Sequence, residues 1–431
     1  MLDTYPHSIH ITNNTGSTDS KEIKPSYIGV LHNRSFVFLW LAQLVSQLGD
    51  YLLQVALVWF VLQSTDSTVA VGSMIAISLL PTVLLAPLLG VFVDRFNRRT
   101  ILIISNACQS AIVLLMGLLY TMNHLSYWDI LLFLFVLYSM AQLVRPSVNA
   151  MVPNIVTMND LPVANSLLSI TLSMTSIVGF SLGGVVILFL GVSFSIYYDF
   201  ISFVLAVLML MFVGKRYGEI SKISGLPAKV SYAERFHEGL KFISRSNLLK
   251  QLAGVAVVIN YFGAGINALV APYVKQNLQG NSAIYGFLLA SYSVGSIIGF
   301  VAVSKANFRN YTGKILFAGA VAFGILALIL GIAMTTLATV VLFSIIGFAF
   351  ASVNLPISVL LQVKVPNNLR GRVGTVLGAI GAASQPISAL ISGSIGELMG
   401  VGRTFQLYGL VLVLASLIML YVFRELLGSK Y

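Results

Sequence analysis

Twelve times the sequence runs for about twenty residues or more with almost no charge, each run closed off by a short polar break. A run of that length crosses the ~30 Å hydrocarbon core of a bilayer as a helix. In lipid such a segment must satisfy its backbone polar groups internally, which a helix does alone. The runs lie near 36–62, 70–93, 100–122, 128–150, 163–190, 193–214, 251–273, 283–304, 314–334, 337–362, 373–398 and 404–426. The faintest boundary, between the ninth and tenth, is marked by Thr335 and Thr336 alone. The expected fold is an all-α membrane protein: twelve transmembrane helices in two six-helix bundles. Composition agrees, with 57% hydrophobic and 9% charged residues, where a soluble domain carries about 25% charged.

The charges that remain are placed asymmetrically. With the N-terminus in the cytosol, all but three of the 25 Lys and Arg fall on cytosolic segments; Lys275 and Arg403 fall outside and Arg145 within a helix. That bias puts both termini inside and makes the net charge of +11 a topology signal, not a nucleic-acid surface. Residues 1–32 are polar and lack the apolar core of a signal peptide, so they are expected to be a disordered cytosolic tail; 427–431 are expected to be a cytosolic tail. The expected domains are an N-terminal bundle at 33–214, a cytosolic linker at 215–250 and a C-terminal bundle at 251–426. In the linker, Phe236, Leu240 and Ile243 share a face, predicting a helix along the membrane surface. Cys108 is the one cysteine, so an internal disulfide is excluded, and no metal site or cofactor is expected. The chain lacks a phosphate-binding loop and a nucleophile–base pair, which argues against an enzyme.

Polar side chains within the apolar runs fall on stripes. Gln43, Gln47, Asp50 and Gln54 recur at +4, +3 and +4 in the first helix, and Tyr138, Gln142, Arg145 and Asn149 repeat that spacing in the fourth. Asn260 and Asn267 stand two turns apart in the seventh; Asn354, Ser358 and Gln362 follow in the tenth. Such spacing puts each set on one helix face, and the recurrence at helices 1, 4, 7 and 10 predicts a common water-accessible path. The competing reading is interhelical hydrogen bonding. Asp50 is the sharpest case, because an ionised side chain at mid-membrane costs about 2.5–3.5 kcal/mol. It is either a group that loads and releases a proton or half of a fixed ion pair with Arg145. Asp199, in "SIYYDFISF", is the second coupling candidate, but its tyrosine neighbours favour an outer-leaflet acid that is solvated or hydrogen-bonded. Asp129 and Glu397 are expected at the outer surface, solvated.

The halves echo each other. "RPSVNAMVPN" in helix 4 and "LPISVLLQVKVPN" in helix 10 each hold an internal proline, Pro146 or Pro356, and close on Val-Pro-Asn. Duplicated halves with a midplane site between them are an architecture of secondary transporters.

Between helices 2 and 3 the chain reads "GVFVDRFNRRTIL", in which Gly90, Asp94, Arg95, Arg98 and Arg99 resemble the G-x-x-x-D-R-x-x-R-R loop of the major facilitator superfamily. "LGDYLLQVALVWFVL", "VPNIVTMNDLPVANSL" and "VPNNLRGRVGTVLGAIGAASQPISALISG" are similar to the macrolide-efflux and enterobactin-exporter-like branch, and the resemblance covers about 33–426. It implies a major facilitator fold and proton-driven export of an amphiphilic small molecule by alternating access. It also implies a conformational latch in which Asp94 meets the start of helix 11, where Arg370 and Arg372 stand. Phe180 occupies the place of the proline in the antiporters' helix-5 glycine-proline pair. The expected protein is a monomer of a bacterial cytoplasmic membrane whose partners are small-molecule cargo, protons and the lipid bilayer. The rivals are an uncoupled facilitator or lipid carrier, and a transporter-like sensor without turnover.

Overall fold

The structure, a computed structural model, describes residues 27–218, 232–305, 311–333, 335–423 and 426; the side chains of 86–91, 94, 216 and 232–235 lie outside that description. Its helices are α1 (Tyr27–His32), α2 (Arg34–Thr65), α3 (Thr68–Arg95), α4 (Arg98–Thr121), α5 (Tyr127–Ile155), α6 (Leu161–Phe212), α7 (Tyr232–Arg245), α8 (Asn247–Gln276), α9 (Ser282–Lys305), α10 (Thr312–Leu330), α11 (Thr336–Lys364), α12 (Asn367–Met399) and α13 (Val401–Val422). Eleven of them are long and apolar enough to cross a membrane. Side-chain caps start several where the apolar runs begin: Asn33 accepts from the backbone of Ser35 and Phe36, Asn97 from Thr100, and Ser126 forms a capping box with Asp129. Such caps satisfy the amides that a helix start leaves open. α1 falls within the tail expected to be disordered; Val30 is buried there, which gives the short helix a core contact.

The predicted fifth and sixth helices follow each other without a loop but reverse direction. α6 holds 52 residues and contains Gly191 at φ 81°, ψ 174°, a region essentially reserved for glycine. The two limbs run beside α2 in opposite senses. Trp40 donates to Thr171 (2.6 Å) and Thr175 to Gln47 (3.3 Å), while Gly183 packs on Leu52 and Val55. The second limb descends, with Asp199 and Ser202 against Gly49 and the Gly214 amide on Ser35. Gly191 is thus a hairpin turn between two spans. Gly400, at φ 88°, separates α12 from α13 in the same manner.

The two halves meet tightly at the end that carries the α2–α3 connection. There Gly72 of α3 crosses Ala389 and Gly393 of α12, and Gly184 of α6 crosses Ser282 and Ala283 of α9, so closely that a β-carbon on either glycine would overlap backbone. Polar ties flank the crossings. Lys275 pairs with Asp66 (2.8 Å) and reaches the Leu62 carbonyl, and Ser282 donates to the Gly184 carbonyl (2.9 Å). Glu397, expected to be solvated, accepts from the Thr68 amide (2.6 Å), the Thr68 hydroxyl (2.8 Å) and Ser67 (3.2 Å) at the start of α3. Glu397 stays exposed, and these contacts have a simple cause: a carboxylate is favoured at a helix N-terminus, and folding brings one there from 329 residues away. Asp129 is half-buried, held within its own capping box with Ser126.

α7 is helical as predicted, but its surroundings are protein on one side. Ile243 is buried and Phe236 packs on the core, whereas Leu240 is exposed, so the three do not share one buried face. Gly239 lies against the Arg372 backbone, and Glu238 pairs with the Arg372 side chain. One apolar cluster runs through both halves, and a second knits α1, α2, α4, α5 and α6 near the α3–α4 connection.

Candidate functional site

Between the halves, just inside the tight end, lies a cavity of about 240 Å³. α2 gives it Gln54 and Val58, α3 Ser78, and α5 Tyr138; α8 gives Asn260, Gly263 and Asn267, α9 Tyr292, and α12 Gln385. Phe323, Phe343 and Phe350 complete an aromatic wall. Among the described residues that line it none is acidic or basic. An apolar recess with a few placed polar groups is the usual form of a small-molecule site.

The cavity takes one or two residues from three of the expected stripes and none from the fourth. Gln54, Tyr138, Asn260 and Asn267 line it; the others do not. Gln43 is buried, Gln47 receives the Thr175 hydroxyl, and Gln142 donates to Thr82 (2.9 Å). Asn354 bonds the Phe350 carbonyl of its own helix, and Gln362 leans on Ser358 (3.4 Å). Arg145, Asn149, Ser358 and Gln362 are exposed. Every one of these outlying residues falls between the cavity and the end opposite the tight crossings, as the direction of its helix requires. The stripes therefore describe a descent from the cavity to one end of the bundle. Gln385 and Tyr292, on α12 and α9, escaped the reading because they sit outside the every-third-helix pattern. The signal available was the cost of any amide inside a span: Gln385 is held at 2.6 Å by the Asn260 oxygen, which in turn anchors its own amide on Ala256.

The two acids lie beside the cavity, not on its wall. Asp50 is half-buried, one turn before Gln54, and no ion pair joins it to Arg145 among the described residues. Asp199 is fully buried against Gly49, receives the Ser202 hydroxyl (3.1 Å), and leaves its second oxygen without a hydrogen-bond partner. The solvated reading of Asp199 is thus corrected. Its tyrosine neighbours do face away, Tyr197 toward Thr121 and Tyr198 onto Phe194, but successive helix residues point about 100° apart. Asp50 and Asp199 lie within electrostatic reach of each other, and Tyr51 and Tyr138 within reach of Asp50.

At the opposite end the residues expected to form a latch are engaged locally. Arg98 donates to the Ala150 carbonyl, and Arg99 to those of Leu210 and Met211, closing the end of α6. Arg95 is exposed, Arg372 pairs with Glu238, and the Arg370 Nε is buried without a hydrogen bond. Gly90 and the Asp94 side chain lie outside the described side chains.

A bundle of membrane-spanning helices around a cavity, tied at one end and lined with polar groups toward the other, has the form of a membrane carrier. The chain belongs to the transmembrane secretion effector family of the major facilitator superfamily, whose family profile matches residues 26–426. It is 24% identical to the uncharacterised MFS-type transporter YvqJ of Bacillus subtilis over 89% of this chain and 91% of that one. It is 22% identical to macrolide efflux protein A of Streptococcus pyogenes (89% and 94%) and 24% identical to the multidrug efflux pump Tap of Mycolicibacterium fortuitum (90% and 96%). The fold resembles an inward-facing bacterial homologue of the lysosomal transporter Spinster, with TM-score 0.71, 14% identity, and 93% and 98% coverage. It also resembles an inward-facing bacterial homologue of ferroportin, with TM-score 0.70, 18% identity, and 92% and 99% coverage. The protein is a membrane transporter of the major facilitator type with efflux pumps among its relatives.

Proposed function

We propose that this transporter exports an amphiphilic small molecule by proton antiport and alternating access, from the cytosol across a bacterial cytoplasmic membrane. The observation that carries the reading is the cavity whose polar lining continues toward one end of the bundle while the other end is tied shut. With the positive-inside bias of the sequence, the tied end is the outer one and the protein rests open to the cytosol, both termini inside. Counting the two limbs of α6 separately, twelve spans form two bundles of six, at 33–214 and 251–426, joined by the 215–250 linker, in a protein that works as a monomer. Cargo enters past Arg145, Asn149, Asn354, Ser358 and Gln362 and settles against Gln54, Tyr138, Asn260 and Asn267; Gln43, Gln47 and Gln142 hold the helices that shape the route. Asp50, with Asp199 behind it, takes up the proton, since removing water disfavours the charged form of any carboxylate. Gly90, Asp94, Arg95, Arg98 and Arg99 meet Arg370 and Arg372 when the cytosolic side closes.

The test is Asp50→Asn in proteoliposomes under an inward proton gradient. Antiport predicts that the variant still binds cargo and exchanges it down a gradient but no longer concentrates it. Uphill transport at the wild-type rate would assign the protein to the uncoupled facilitators.

A further inference from the structure

The two halves share a register that the cavity uses. α2 and α8 are the opening spans of the halves, and Gln54 is the twenty-first residue of one while Asn267 is the twenty-first of the other. Gln47 and Asn260 match likewise, each as the fourteenth. The lower pair is used inside the protein: Gln47 receives Thr175 and Asn260 holds Gln385. The upper pair is not. Gln54 and Asn267 line the cavity from opposite halves, and neither makes a hydrogen bond to protein among the described residues. Beside Asn267, one turn back on α8, Gly263 leaves open space where a β-carbon would stand. A primary amide offers both donors and an acceptor; Asn267 is exposed and Gln54 half-buried, so both amides are free to take a polar group of a ligand.

We infer that Gln54 and Asn267 form a two-sided amide clamp, with the recess at Gly263 beneath it, that binds an uncharged, hydrogen-bonding group of the cargo and excludes anionic ones. The inference rests on the exporter reading above and names the chemistry of its substrate. An amide pair complements an amide, lactone or hydroxyl group; a carboxylate or phosphate would lose its hydration with no cation on the wall to replace it. The clamp has one arm on each half, so the ligand itself bridges the parts that must move against each other in alternating access.

Chloramphenicol, neutral and carrying an amide and two hydroxyls, and its hemisuccinate ester, which adds a carboxylate, form a matched probe pair. Binding of each radiolabelled probe to the full-length protein in detergent is the measurement. Wild type is expected to bind chloramphenicol at least tenfold more tightly than the hemisuccinate. Gln54→Leu and Asn267→Leu are each expected to weaken chloramphenicol about tenfold, and Gly263→Leu to abolish binding by filling the recess. Gln54→Asn and Asn267→Gln keep the amides and are expected to stay within about threefold, which separates lost hydrogen bonding from lost folding. Equal affinity for the two probes, unchanged binding in both leucine variants, or no chloramphenicol binding by wild type overturns the clamp. Binding that follows this pattern without gradient-driven flux supports the clamp and overturns the exporter reading.

Discussion

Gly49 is where the two acids come together. A side chain there would overlap the Asp199 carboxylate and the Ser202 hydroxyl, so the absence of a β-carbon lets α6 bring its acid against α2 at the residue next to Asp50. Gly49→Ala is expected to destabilise the protein by about 1–3 kcal/mol, the usual cost of overpacking, read as a lower midpoint of thermal unfolding. Combined with Asp199→Ala it should lose less than the two single changes together, because the residues touch; full additivity would show that they do not act on each other. The sequence made Asp50 conspicuous, since a lone acid in an apolar run has no local excuse. It disguised Asp199, whose tyrosine neighbours are the residues of an interfacial belt. Only the rotation of the helix separates Tyr197 and Tyr198, turned toward Thr121 and Phe194, from Asp199, turned inward.

Among the elements, α6 shows how far apolar patterning reaches. The break expected between 190 and 193 is present, as the single non-helical residue Gly191. Periodicity locates a span; it does not report a reversal made without a polar loop. Gly191→Ala should cost about 1–3 kcal/mol by forcing a β-carbon into that backbone region, measured as reduced thermal stability, although no atom lies within 4 Å of the new carbon. An unchanged midpoint would mean that the turn can relax. α7 was legible as a helix from its amphipathic pattern. Its docking was not, because Arg372, which holds Glu238 and lies against Gly239, comes from α12, more than a hundred residues later. Gln385 escaped notice for a related reason: it belongs to α12, and only the packed structure puts it beside Asn260.

For the whole molecule, the repeated proline-bearing segments point to two halves, whereas no sequence pattern reports the state of the two ends. The tied end depends on pairs such as Glu397 with Thr68 and Lys275 with Asp66, which no local pattern joins. Removing both ties, with Glu397→Gln and Lys275→Ala, is expected to raise the outward-open population. In a Cys108→Ser background, spin labels at Ser64 and Gln276, both exposed near the ends of α2 and α8, should then show a longer-distance population absent from the parent. An unchanged distance distribution would place the seal in the glycine crossings alone. If the cargo is neutral, as the clamp implies, each exchange for a proton moves net charge. A membrane potential of ~100 mV then supplies about 2.3 kcal/mol per proton without any pH difference, roughly a fifty-fold gradient.

The proton claim is tested most directly by following both fluxes at once in vesicles containing the purified protein, radiolabelled chloramphenicol and a pH-sensitive dye. With equal pH on both sides and an imposed inside-negative potential, interior acidification should accompany uphill export of the probe, and Asp50→Asn should abolish both. Export at the wild-type rate with no proton entry, or coupled fluxes that survive in Asp50→Asn, would contradict the account.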